Sequence, residues 1–98
     1  MDKGAAIKVG TLVRAEAGRD KGSYFVAVGV HDGFVEIADG RRRKAEKPKR
    51  KNPKHISPVD AQLTSGALTN KKLRQLINGY LTQIRLKQTG TFRNEEVL

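Results

Sequence analysis

Glycines at 10, 18 and 22 punctuate the run Gly10-Thr-Leu-Val-Arg-Ala-Glu-Ala-Gly-Arg-Asp-Lys-Gly22, which admits very few local structures. Val13 and Ala15 fall on one side of an extended segment, with Arg14 and Glu16 on the other, the period of two expected of a strand. Between Gly18 and Gly22 stand only Arg19, Asp20 and Lys21, so the strand must turn through a short charged tip. Glycine tolerates the positive φ that such a turn demands. Tyr24-Phe25-Val26-Ala27-Val28-Gly29-Val30 follows, nearly all apolar and rich in β-branched or aromatic residues, and predicts a strand buried on both faces or nearly so. Asp32-Gly33 and Asp39-Gly40 signal tight turns on either side of a third strand, Phe34 to Ala38. Alternation places Val13, Val26, Val28, Val35 and Ile37 in the core.

The net charge of +10 is informative through its placement. Residues 1–40 sum to −1 and residues 55–98 to +3, whereas residues 41–54 alone carry +8. Following the Asp39-Gly40 turn, this block is expected to begin as a further strand. Pro48 and Pro53 cannot donate ladder hydrogen bonds, which makes that strand an edge or interrupts it. His55 to Val59 supplies a last short strand. Five strands within about fifty residues predict a small barrel, closed so as to leave no open edge. Charge concentrated mid-chain repels itself, and a polyanionic partner is its simplest explanation; a solubilising stretch is usually terminal.

The Gly10–Gly22 run resembles the KOW motif, the strand-loop-strand signature of certain ribosomal proteins and transcription elongation factors. Phe34-Val35-Glu36-Ile37, the arginines after Gly40 and Asn52-Pro53-Lys54-His55-Ile56-Ser57-Pro58 extend the resemblance over residues 8–58. As a whole this stretch resembles the small KOW-type proteins of the archaeal and eukaryotic large ribosomal subunit and their bacterial relatives. The resemblance implies an SH3-like barrel that binds ribosomal RNA, closed by a Lys-His-apolar segment. Arg19 and Lys21 are candidate phosphate contacts in the turn, with Gly18 and Gly22 allowing close backbone approach. Arg41, Arg42, Arg43, Lys44, Lys47, Lys49, Arg50, Lys51 and Lys54 are candidate contacts in the basic block, where Arg also stacks on unpaired bases. His55 is expected to be structural or phosphate-facing.

Beyond Asp60 the pattern changes. Leu73, Leu76, Ile77, Tyr80, Leu81 and Ile84 share a helical stripe, Thr69 is a plausible N-cap, and Leu68 with Leu73 forms a hydrophobic staple. The expected organisation is a barrel over 8–59, a linker over 60–67, a helix over 68–86 continuing through Gly79, and a loose tail over 87–98. Lys71, Lys72 and Arg74 crowd the first turn, where the helix dipole disfavours cations, so an anion is expected nearby.

The fold class is therefore mainly β, a five-stranded SH3-like barrel followed by a C-terminal helix. Without cysteine there is no disulfide framework and no thiolate zinc site, which fits a reducing compartment. No apolar run reaches the ~20 residues of a membrane helix, and the N-terminus lacks a signal-peptide core, so a cytoplasmic location without membrane contact is expected. His31 and His55 have no companions at metal-ligand spacing. Asp32, Glu36 and Asp39 do not form an acid/base pair, and no nucleophile elbow, P-loop or dinucleotide fingerprint is present. These features point away from an enzyme, a metal, a cofactor or a small-molecule substrate. They point to non-catalytic binding of RNA, ribosomal RNA or the ribosome by the resemblance. A protein-interaction module of a transcription or translation assembly and sequence-independent DNA binding are the competing readings.

Overall fold

A computed structural model of the protein describes residues 7–60 and 66–97, with side chains placed through residue 59 and over 66–86. The expected linker over 60–67 lies mostly outside the described residues. The chain forms β1 (Leu12–Ala15), β2 (Tyr24–His31), β3 (Phe34–Ala38), β4 (Lys49–Lys51), a 3-10 turn (Pro53–His55), β5 (Ile56–Asp60) and α1 (Asn70–Val97). The five strands make one antiparallel, barrel-like sheet in the order β4-β3-β2-β1-β5.

Both faces of this sheet are apolar, and each has its own cover. Val13 and Ala15 of β1, Phe25 and Ala27 of β2, and Val35 and Ile37 of β3 point inward, joined by Ile7 and Ile56. The opposite face carries a row across three strands, Leu12 paired with Val26 and Val26 with Ala38. This row is sealed by Leu73 and Ile77, one helical turn apart on α1. Tyr24 and Tyr80 add a tilted ring contact, centroids 5.5 Å apart, at the same junction. Four of the five expected core residues are buried: Val13, Val26, Val35 and Ile37. Val28 lies on the helix side with Val26 but is only half-buried there, and the β2–β3 register shifts between Ala27 and Gly29. A bulge of this kind leaves one residue without a partner on the neighbouring strand.

Two further expectations are corrected. The barrel, expected from residue 8, has its first strand only from Leu12. Residues 8–11 turn instead, the Thr11 amide donating to the Lys8 carbonyl at 2.9 Å and the Thr11 hydroxyl accepting from the Lys8 amide at 3.0 Å. The basic block does not begin as a strand, since only Lys49–Lys51 pair with β3 and the residues from Gly40 to Pro48 form a loop. Its geometry follows from Asp39, whose carboxylate accepts from the Arg41 and Arg43 amides, each at 2.9 Å, and so withdraws them from any ladder.

The helix starts as the sequence indicates. Thr69 accepts from the Lys72 amide through its hydroxyl and from the Leu73 amide through its carbonyl, as an N-cap does. It continues through Gly79 and runs on to Val97, so the boundary expected at residue 86 and the loose tail after it are not what the backbone shows. Arg74 does not wait for an anion: its guanidinium donates to the Gly40 carbonyl at 2.9 Å.

Leu73 is fully buried between sheet and helix. Leu73→Ala is expected to lower unfolding free energy by about 2–5 kcal/mol, through lost transfer energy plus the cavity left behind. Urea denaturation monitored by circular dichroism measures it, and a loss below about 1 kcal/mol would show that the helix contributes little to the fold.

Candidate nucleic-acid interface

The loop between β1 and β2 is closed by reciprocal bonds, Gly22 amide to Ala15 carbonyl at 2.8 Å and Ala15 amide to Ser23 carbonyl at 2.9 Å. Within it the Ser23 amide donates to the Asp20 carbonyl, which places Gly22 third in a four-residue turn with φ of +91°. Gly18 has φ of +82°. A Cβ at either glycine would meet nothing closer than 3.5 Å, so the sign of φ rather than crowding calls for glycine. Arg19 and Lys21 are exposed at this tip.

Strand β4 brings the basic block to the same end of the molecule. It has only three residues, and its side chains alternate. Lys49 pairs with the Asp20 carboxylate and Lys51 donates to the Ala17 carbonyl at 3.1 Å, so both reach back to the β1–β2 loop. Arg50, between them, lies on the other face over the Phe34 ring, 5.0 Å from its centroid. Lys49 and Lys51 are thus half-buried fastenings as well as charges. The Lys49 ammonium holds the Asp20 carboxyl below its ordinary value, with Lys51 and Arg43 adding to the effect. Across the barrel, the Ser57 hydroxyl donates to Glu16 and does the same for that carboxylate, aided by Arg14 at 3.0 Å.

Arg19, Arg42, Arg43 and Lys49 line one cleft of about 490 Å³, with Asp20, Asp39, Ser23 and Phe25 in its walls. Both carboxylates are already engaged, Asp20 by Lys49 and Asp39 by backbone amides, which leaves the arginines to set its polarity. The remaining candidates do not line this cleft. Arg41 faces a shallower depression beside Tyr24, Ile77 and Leu81. Lys44 and Lys47 are exposed on the outer part of the loop, and Lys54 and His55 on the 3-10 turn. That turn is capped by Asn52, whose carboxamide oxygen accepts from the Lys54 amide at 2.9 Å.

Sequence reasoning missed the residues that hold the arginine loop in place. Asn70, at the start of α1, accepts from the Ala45 amide at 2.7 Å and donates to the Glu46 carboxylate at 3.1 Å. The same bond lowers the Glu46 carboxyl from its ordinary value. Gly40, with φ of +80°, presses so closely on the Asn70 carbonyl that a Cβ there would displace the helix. Only the Asp-Gly pair at 39–40 gave a local signal. The partners of Asn70 lie more than twenty residues away, and no short window reveals them.

A KOW-type turn on a five-stranded barrel-like sheet, with a basic cleft beside it and one C-terminal helix, accords with the small KOW-type ribosomal proteins. The chain is 35% identical over 81 residues, covering 80% of its own length and 84% of the relative's, to the large ribosomal subunit protein eL14 of Staphylothermus marinus. It belongs to the eL14 family of ribosomal proteins. No protein-family model matches the chain.

Two outcomes test the scaffold. Because Asp20 has a lower pKa folded than unfolded, its stabilisation is complete above its ordinary value of 3.8 and is lost as pH falls through the folded value. Asp20→Asn should therefore cost roughly 0.2–1 kcal/mol at pH 7, as partly exposed ion pairs do, and flatten the acid limb of the stability curve below pH 4. Thermal melts from pH 2 to 7 decide this, and parallel curves for parent and variant would remove the pair from the stability account. Asn70→Ala should raise the exchange rate of the Ala45 amide by about tenfold, the loss of one hydrogen bond, measured by native-state hydrogen exchange.

Proposed function

We propose that this protein binds ribosomal RNA without catalysis, as a component of the large ribosomal subunit in the cytoplasm, through the surface where the β1–β2 turn meets the arginine loop. The observation that carries this is the cleft lined by Arg19, Arg42, Arg43 and Lys49, whose own carboxylates are already engaged, Asp20 by Lys49 and Asp39 by backbone amides. A cleft of that polarity suits phosphate oxygens, and the arginine fork suits them bidentately. The relative's name, a large ribosomal subunit protein, supplies the polyanion that the charge calls for. Membership of a ribosomal-protein family accords with a structural rather than an enzymatic role.

In this reading about six of the exposed cations Arg19, Lys21, Arg41, Arg42, Arg43, Lys44, Lys47, Arg50 and Lys54 meet phosphates at once, with His55 at the margin. Lys49 and Lys51 contribute mainly by fixing the loops. Phosphate contacts position rather than specify, so the site recognises the shape of a folded RNA more than its sequence.

Salt dependence tests this directly. With about six phosphate contacts, log K against log salt should fall with a slope of about −4 to −5, taking roughly 0.7–0.9 per phosphate. Changing Arg42, Arg43 and Lys44 together to Gln should flatten the slope by about 2 to 3 while the melting curve stays that of the parent. Titration of ribosomal RNA fragments at several salt concentrations measures both. An unchanged affinity and slope would leave the block a solvated surface. Equal competition by duplex DNA would favour sequence-independent DNA binding, and a partner retained after nuclease treatment would favour a protein-interaction module.

A further inference from the structure

The arginine loop and the β1–β2 turn leave one built cluster unused, at the far tip of the β2–β3 hairpin. His31 and Phe34 are cross-strand partners there, and their rings stack with centroids 4.6 Å apart and planes 21° from parallel. Glu36, on the same side of β3, receives His31 Nε2 at 3.3 Å. Arg50, opposite Glu36 on β4, lays its guanidinium over the Phe34 ring. Gly29 completes the arrangement: a Cβ at this position would collide with Glu36 Oε1 and crowd His31 Nε2. Phe34 and Glu36 thus hold the His31 ring, and Arg50 backs Phe34.

None of these residues belongs to either hydrophobic cluster. Helix α1 covers the Leu12–Val26–Ala38 row, and Val30 next to His31 is exposed. The stack ends in open aromatic surface, since 47% of the His31 side chain remains accessible. A cation beside an exposed, oriented aromatic pair is the equipment with which proteins hold single-stranded bases: the ring takes the base face and the cation its phosphate.

We propose that the β2–β3 tip is a stacking platform for one unpaired nucleobase, which lies on the accessible His31 ring with Phe34 behind it, while Arg50 meets a neighbouring phosphate. This rests on the RNA-binding reading above and adds a second contact of different chemistry. The arginine cleft takes paired backbone by charge, and the hairpin tip takes a base that has left its stack. Stacking is tolerant of base identity, so the platform selects for unpairedness and not for sequence.

The experiment compares two RNA stems of equal length and charge, one fully paired and one carrying a single unpaired 2-aminopurine. The parent protein should bind the second about tenfold more tightly, and its fluorescence should be quenched on binding as the probe stacks. His31→Ala and Phe34→Leu should each abolish the preference and the quenching while leaving affinity for the paired stem unchanged. His31→Tyr, which restores a ring, should recover both. His31 lies outside the hydrophobic core, so its variants keep the test valid should Phe34→Leu fold poorly. If parent and His31→Ala bind both stems alike without quenching, the platform is overturned and the phosphate reading stands. Failure of the parent to bind either stem overturns both. A missing preference together with a nuclease-resistant protein partner lost in His31→Ala makes the tip a protein contact and overturns the platform.

Discussion

Gly40 lies against the first turn of α1 so closely that no other residue fits without moving the helix. Most of what distinguishes this protein from a bare five-stranded sheet depends on that approach. From one side, the Arg74 guanidinium caps the Gly40 carbonyl, and Asn70 ties down Ala45 and Glu46 at the far end of the same loop. From the other, the Asp39 carboxylate gathers the Arg41 and Arg43 amides. Three adjacent arginines repel one another and have no apolar side chain to bury, so nothing in their own chemistry would hold them in one conformation. They are held by backbone bonds to neighbours on either side. The helix seals the apolar row Leu12–Val26–Ala38 and, by the same docking, presents the charged loop.

The basic block is heterogeneous, and the cause is the two-residue period of a strand only three residues long. Lys49 and Lys51 face the β1–β2 loop and fasten it, while Arg50 faces the other way and lies on Phe34. An exposed ion pair contributes roughly 0.2–1 kcal/mol, too little to fold a domain but enough to choose between two positions of a mobile turn. In effect two cations are drawn from the binding surface to fix the geometry of the rest. Counting lysines and arginines therefore overstates the number that reach a ligand.

What the sequence made legible was what depends on near neighbours. The period of Val13 and Ala15, the glycines at 18 and 22 with their positive φ, and the Asp32-Gly33 turn all act within a few residues, and they fixed three strands and their order. Thr69 announced the helix in the same local way. Failures occurred where a distant partner decided the outcome. Val28 alternates correctly with Val26 on the helix side, but the cover that buries Val26 leaves Val28 only half-buried. Asp39-Gly40 reads as a two-residue turn, yet Asp39 binds amides two and four positions on and Gly40 meets a helix thirty residues away. Of the interface, the kinds of residue were legible. Which of them face the cleft, and which of them fasten it, follows from contacts across the fold.

A disordered basic tail would carry the same charge, so the value of building the arginines into a barrel lies in entropy. Fixing one residue's backbone costs about 1–2 kcal/mol, and the loop from Gly40 to Lys47 spans about eight residues. A flexible segment would meet a cost of this kind, about 10 kcal/mol, at the moment of binding, and its affinity per contact would fall accordingly. Here much of it is met during folding, where burial of Leu73 and Ile77 on the sheet offsets it. The same logic extends to the hairpin tip: a His31 ring already stacked and paired with Glu36 has little rotamer freedom left to lose. Counterion release then supplies affinity to a surface whose shape is set beforehand, and shape is what separates one folded RNA from another when phosphates alone carry no sequence.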